Sequence, residues 1–243
     1  MNDPKSLVGQ AAIVTGASSG IGAGVAEELS RAGMKLVLSG RRVARLESLA
    51  AQLGGDCAIL PGDLTGATLP MQLVNMSLER FGRCDVVFNG AGVMHGAAIE
   101  DANIDQMCDM VRINVEAATR MAYTAVKHFK RVGRGTLINV SSILGTKVRP
   151  NAGVYASTKH AVEALSEALR MELAKTSIRV SVIQPGLVTT ELQDHFKVHP
   201  RDSLGITEPL VPSDVARCVR FILEQPSHVR IPILMILPGE QSM

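Results

Sequence analysis

Seven short apolar runs punctuate the chain, and longer mixed stretches separate them. The runs are AAIV (11–14), KLVLS (35–39), CAILP (57–61), DVVFN (85–89), GTLINV (135–140), RVSVIQ (179–184) and ILMIL (233–237). Each is nearly continuous instead of alternating, as strands are when both faces of a parallel sheet are covered. Between them the pattern predicts helices over 21–32, 43–53, 68–81, 103–132, 154–175 and 213–224. Strand and helix in alternation predict an α/β fold: a doubly wound, parallel, seven-stranded sheet with helices on both faces. No repeat, linker or low-complexity stretch interrupts it, so residues 1–243 read as a single domain. The least patterned piece, 191–212, is long for a loop and is expected to serve as a substrate loop or lid.

The first strand runs into TGASSGIG (15–22), ahead of the helical pattern VAEELSRAG. A turn there lies at the carboxyl edge of the sheet, against a helix N-terminus whose free N–H groups favour phosphate. Gly16, Gly20 and Gly22 let the backbone turn tightly and approach a pyrophosphate, although glycines in that spacing also serve plain turns. The second strand ends in SGRRVARL (39–46). A fold that prefers NAD usually carries an acidic residue at this point, on the ribose hydroxyls. Here stand Arg41 and Arg42, whose forked donors suit a 2′-phosphate and so select NADP(H). The alternative is a solvated start to the second helix. After the third strand, Asp63 and Leu64 in PGDL sit where an adenine would lie, and Asp63 could equally cap its own turn.

Composition narrows the partners. Hydrophobic residues make up 46% and charged residues 20%, an ordinary globular balance. A net charge of +2 and an aromatic content of 3% argue against nucleic acid and anionic membrane as partners. Cys57, Cys84, Cys108 and Cys218 are scattered, with no CxxC pair and no zinc-like spacing, so no metal is expected. The start, MNDPKSLVGQ, has no basic region followed by an apolar stretch, and no run approaches the ~18 apolar residues of a membrane span. A soluble, cytoplasmic protein is expected.

A second constellation follows the fifth strand, in NVSSILG, with Ser141 and Ser142. Tyr155 comes in YASTK, and Lys159 stands at i+4, on the same helical face. A phenol titrates near ~10, and a neighbouring ammonium brings it toward working pH. A serine hydroxyl could polarise the same carbonyl oxygen. Taken singly, such residues are more often a surface pair and a turn.

In order and spacing these pieces resemble the short-chain dehydrogenase/reductases, in their short single-domain form. The resemblance spans essentially the whole chain: TGASSGIG as cofactor turn, NGAG (89–92), Asn114 in RINVEA, Ser142, Tyr155 and Lys159, and PGLVTT (185–190). It implies a Rossmann-like fold and an NADP(H)-dependent interconversion of an alcohol with an aldehyde or ketone. It implies that Tyr155 is the general acid and base, that Ser142 holds the carbonyl oxygen, and that Lys159 lowers the Tyr155 pKa and binds the nicotinamide ribose. Asn114 would hold a water linking Lys159 to solvent. Ser18, Ser19 and Ile21 would line the pyrophosphate turn. Asn89, Ala91, Gly92, Pro185 and Gly186 would approach the cofactor, and Val188 and Thr190 would contact its carboxamide and phosphates. Gly90 departs from the family's NNAG. The ending PGEQ, with TTEL (189–192), resembles a subgroup of 3-hydroxy-acid and clavulanate-pathway aldehyde reductases.

Substrate residues follow from the strand ends. Met94, Leu144, Leu187 and Leu192, with Ser142 and Tyr155, predict an apolar pocket. Lys147, Arg149, His195, Lys197, His199 and Arg201 offer cations that could pair a carboxylate, or simply be solvated. A neutral carbonyl is ranked above a charged one. The helix at 154–175 is apolar or small around much of its circumference, so it must be covered on more than one side. The resemblance implies that it packs, together with the helix at 103–132, against its symmetry mate in a homodimer or homotetramer, the alternative being deep burial in its own domain. Rival readings are an NADP-binding redox sensor without turnover, and a dehydratase or epimerase on the same fold.

Overall fold

The computed structural model describes residues 5–196 and 198–242. The chain runs β1 (Ala11–Thr15), α1 (Gly20–Arg31), β2 (Lys35–Ser39), α2 (Val43–Leu53), β3 (Cys57–Ile59), α3 (Leu69–Phe81) and β4 (Val86–Asn89). It continues with α4 (Ile104–Val111), α5 (Ala118–Val132), β5 (Arg134–Val140), α6 (Gly153–Glu172), β6 (Ser177–Pro185), α7 (Pro200–Ser203), α8 (Pro212–Glu224) and β7 (Ile233–Ile236). The strands form one parallel, seven-stranded sheet in the order β3-β2-β1-β4-β5-β6-β7. This is the Rossmann-like arrangement. Strand order reverses between β1 and β4, and a crevice opens above their carboxyl ends.

The continuous apolar runs fill both faces of the sheet. Ala12, Val14, Leu36, Leu38, Val86, Phe88 and Ile138 pack with Val25 and Leu29 of α1 and with Val215, Val219 and Ile222 of α8. Their neighbours Ile13, Val37, Val87 and Leu137 point the other way, onto Leu73, Met121, Phe129 and Leu169 of α3, α5 and α6. Each Val, Leu, Ile, Met or Phe among them contributes about 1.5–3 kcal/mol relative to exposure. The uniform burial expected of all seven strands fails at both edges: β3 is half-buried throughout, and β7 is partly exposed. Ile233 and Met235 of β7 are 52% and 46% exposed, because β7 pairs only with β6 and its outer face is uncovered. Among the described residues no helix is long and apolar enough to cross a membrane.

Two expected elements come out differently. The helix expected at 103–132 is interrupted by a π-helical turn, Arg112–Ala117, that separates α4 from α5. The buried side chain of Asn114 leaves that turn to clamp Val93, and single-turn π-insertions often mark functional positions. The 191–212 segment is not structureless. It holds a 3₁₀ turn, Glu191–Gln193, and the short helix α7. Its two ends are pinned together where Thr189 N donates to Leu210 O (2.7 Å) and Leu210 N donates to Leu187 O (3.0 Å).

Candidate active site

The β1–α1 turn is built on close backbone approach. Gly16 has φ +72°, and a Cβ on it would lie 2.8 Å from Gly90 O and 2.9 Å from Ala91 N. No other residue type fits, because the turn rests directly on the loop after β4. The first turn of α1 then opens beside Ser19, whose hydroxyl does not cap the helix. Those free donors face a cavity of about 750 Å³ that Gly16, Ser18, Ser19, Gly20, Ile21 and Gly22 all line. That volume lies in the ~300–1,000 Å³ range of small-molecule and cofactor sites.

The cavity runs from Arg41, Arg42, Asp63 and Leu64 at one end to Ser142, Tyr155 and Lys159 at the other. α6 carries Tyr155 and Lys159 on its buried face, 6% exposed each. Lys159 Nζ lies 5.7 Å from the Tyr155 ring centre and donates to Val140 O at 2.9 Å. Ser142 begins the short turn after β5, and its hydroxyl accepts from Leu144 N at 3.1 Å. Burial pushes the Tyr155 phenol up to about 12, against the opposing pull of the Ser142 hydroxyl and the Arg149 guanidinium. Burial also brings the Lys159 ammonium down to about 8, with Glu163 opposing. The expected depression of the phenol by Lys159 is therefore not seen. Lys159 is turned to a backbone carbonyl, and desolvation outweighs every charge near the ring.

Residues 10–200 match the family described as short chain dehydrogenase. This chain belongs to the short-chain dehydrogenase family. It is 34% identical over 233 residues to an uncharacterized oxidoreductase of Staphylococcus aureus (strain USA300), covering 96% of this chain and 98% of that one. Among solved structures, the closed form of serine dehydrogenase complexed with NADP+ superposes with a TM-score of 0.90 at 27% identity, over 96% of this chain and 97% of that chain. The 3-ketoacyl-(acyl-carrier-protein) reductase of Brucella melitensis, complexed with NADH, gives a TM-score of 0.88 at 30% identity, over 97% and 99%.

Against the family's expected contacts, two asparagines fall outside the cavity wall. Asn89 is 5% exposed and faces away from the crevice, donating to Ala118 O and Asn139 Oδ1, both at 3.0 Å. Its contribution to the site is to brace β4 against β5 and α5. Asn114 is also buried, accepting from Val93 N (2.9 Å) and donating to Val93 O (2.8 Å) and Thr158 Oγ1 (3.2 Å). Three of its four hydrogen-bonding positions are thereby filled. It holds the loop after β4 in place beneath the cavity.

The remaining expected residues line the cavity together: Ala91, Gly92, Pro185, Gly186, Val188 and Thr190, and the apolar Met94, Leu144, Leu187 and Leu192. Asp63 also lines it, while its Oδ1 accepts from Thr65 N and Thr65 Oγ1, both at 2.9 Å, so it caps its own turn as well. Of the loop cations, Lys147, Arg149 and His195 reach the cavity. His195 is held below the usual imidazole value by burial and by His95, whose ring centre is 5.2 Å away. His199 and Arg201 are engaged within the 199–207 turn, and Lys197 lies outside the described residues.

The departure from the family's NNAG has a physical reason. A Cβ at Gly90 would fall well inside contact distance of Phe88 Cε1 and 3.0 Å from Thr15 O. The Phe88 ring, fully buried, fills the space where a second Asn would project.

Three residues escaped sequence reasoning. Glu191 accepts from Arg42 Nη1 at 2.6 Å and from Arg45 Nη1 at 2.5 Å. Arg42 also donates to Ser18 Oγ (3.3 Å) and to Ser19 Oγ. Gln241, on the far side of the cavity, accepts from Leu187 N at 2.8 Å. The spacing of Arg45, one helical turn after Arg41 and Arg42, was a readable signal. Nothing in the sequence pairs position 191 with 42 and 45.

Proposed function

We propose that the protein is an NADP(H)-dependent oxidoreductase that interconverts an alcohol and an aldehyde or ketone. The observation that carries this reading is a single cavity lined by a glycine-rich helix N-terminus, two arginines after β2, and Ser142, Tyr155 and Lys159. The residues fit a dinucleotide: the Gly16 cradle admits no Cβ, and the α1 N-terminus faces the cavity. Arg41 and Arg42 supply donors for a 2′-phosphate, and the serine dehydrogenase relative was solved with NADP+. When bound, the nicotinamide ring would supply or accept the hydride.

The chain's own residues supply the rest. Tyr155 carries its proton in the buried site, the form that donates to an oxygen gaining negative charge as a carbonyl is reduced; at about 12 it is a weak acid, so donation calls for positive charge to be brought beside it. Ser142 lies beside the phenol and is placed to donate to the same oxygen. Lys159, one turn along α6, is placed to donate to ribose hydroxyls and to return positive charge to the phenol's surroundings. Met94, Leu144, Leu187 and Leu192 exclude water from the reacting end. The segment 191–212 closes the cavity mouth as a substrate loop, and the exposed faces of α5 and α6 serve the homodimer or homotetramer.

A substrate with a carboxylate beside its carbonyl is the second reading. Arg149 reaches the cavity half-buried and forms no ion pair among the described residues.

The test is NADPH oxidation against a panel split between neutral carbonyls and carbonyl acids, with NADH in parallel and Tyr155→Phe as control. Turnover lost in Tyr155→Phe with NADPH affinity retained is the expected result. Undiminished turnover in that variant would remove Tyr155 from its role. Tight NADPH binding by the unmodified protein, with no turnover of any carbonyl, would favour a sensor.

A further inference from the structure

Glu191 is the first residue of the 191–212 segment, yet its carboxylate reaches back to the start of α2. Oε2 lies 2.6 Å from Arg42 Nη1 and Oε1 lies 2.5 Å from Arg45 Nη1, so one carboxylate bridges two guanidiniums. The first turn of α2 carries no acidic residue of its own. Glu191 therefore provides from a distance the negative charge that a helix N-terminus favours. The side chains of Arg42, Arg45 and Glu191 are 42%, 49% and 46% exposed, so a ligand in the cavity can reach them. Arg42 and Glu191 both line the cavity.

An anion that approached Arg42 would meet this carboxylate already on its donors. Two anions on one guanidinium repel each other, and the remaining nitrogens of Arg42 are also engaged, Nε with Ser18 Oγ (3.3 Å) and Nη2 with Ser18 O (3.4 Å) and Ser19 Oγ. We propose that Glu191 is an internal counter-anion of the 2′-phosphate site, which occupies Arg42 and Arg45 until a 2′-phosphate displaces it. Cofactor choice and the position of the substrate segment are then one equilibrium. A nucleotide with a 2′-phosphate frees the segment's first turn, and a nucleotide without one leaves the latch closed. The coupling is reciprocal: whatever holds Glu191 on the arginines weakens 2′-phosphate binding by the same factor. This inference rests on the NADP(H) reading above.

The experiment is titration calorimetry at fixed low salt, with adenosine 2′,5′-bisphosphate and adenosine 5′-monophosphate, on the wild-type protein and Glu191→Gln. With the competing charge gone, the bisphosphate is expected to bind roughly three- to tenfold more tightly, the size expected of two half-exposed ion pairs. The monophosphate, which does not need Arg42, should change by less than about twofold. In the wild-type protein, amide exchange over 190–196 should speed up with the bisphosphate and not with the monophosphate. An unchanged ratio of the two affinities in Glu191→Gln, with wild-type preference for the bisphosphate intact, overturns the proposal and leaves the NADP(H) reading standing. Weaker bisphosphate binding in the variant also overturns it, and would make Glu191 a strap across the bound nucleotide. Absence of any wild-type preference for the bisphosphate would sink the NADP(H) reading, and the proposal with it.

Discussion

Replacing Gly90 with Ala tests whether Phe88 has taken the space of the missing asparagine. Gly90 lacks a positive φ, so the backbone itself accepts a side chain. The obstacle is packing: the new Cβ would overlap Phe88 Cε1 and lie 3.0 Å from Phe88 Cδ1 and Thr15 O. Phe88 is fully buried, so its ring has no open direction in which to move. Overpacking of this kind costs about 1–3 kcal/mol, and the reduced freedom of the unfolded chain returns about 0.4–1 kcal/mol. The net loss is about 1–2 kcal/mol, or a fall in Tm of roughly 4 °C for a chain of this length. The displacement also reaches the site, because Gly90 O is the atom that a Cβ on Gly16 would meet. NADPH affinity should therefore fall with stability. Chemical denaturation of Gly90→Ala, Phe88→Leu and the double variant gives the coupling directly. The double variant should be more stable than additivity allows by at least about 0.5 kcal/mol, and should recover NADPH binding. A fully stable Gly90→Ala, or strict additivity, would refute the account.

Replacing Arg41 and Arg42 together with Ala should weaken NADPH by roughly tenfold more than NADH, since only the former has a 2′-phosphate to lose; equal losses in parallel titrations would place that site elsewhere. Lys159→Met should raise stability at pH 7, because burial depresses the ammonium to about 8 from an ordinary value of 10.5. The penalty is fully present below pH 8 and is relieved as pH rises toward 10.5. The variant's advantage, on the order of 3 kcal/mol at most, should therefore vanish in denaturation curves near the upper end; a constant difference across that range would mean that Lys159 is not destabilised by burial.

Much of this was legible in the chain before any fold was known. The strands showed because both their faces are covered, so their residues are apolar without alternation. The glycine-rich turn after β1 showed because close backbone approach restricts Gly16 to one residue type. Tyr155 and Lys159 could be paired because an i, i+4 spacing carries its own geometry. The π-helical turn at Asn114 was not legible. The apolar pattern through it still reads as an ordinary helix, and the clamp on Val93 that accompanies it is a long-range contact. Nor was the direction of Asn89, which depends on which neighbours its face of β4 meets.

By itself, then, the sequence determined the alternation of elements, the glycine-rich turn after β1 and the residues available for acid–base chemistry, since each is a property of neighbours along the chain. Only the tertiary structure decided which groups share an environment. It turned Asn89 and Asn114 into braces, packed Phe88 into the space beside Gly90, and set desolvation above Lys159 in governing the Tyr155 phenol. It also brought Glu191 onto Arg42 across 149 positions. Local rules reach a few residues, whereas burial and charge act through space, and their balance exists only once the sheet has assembled its crevice.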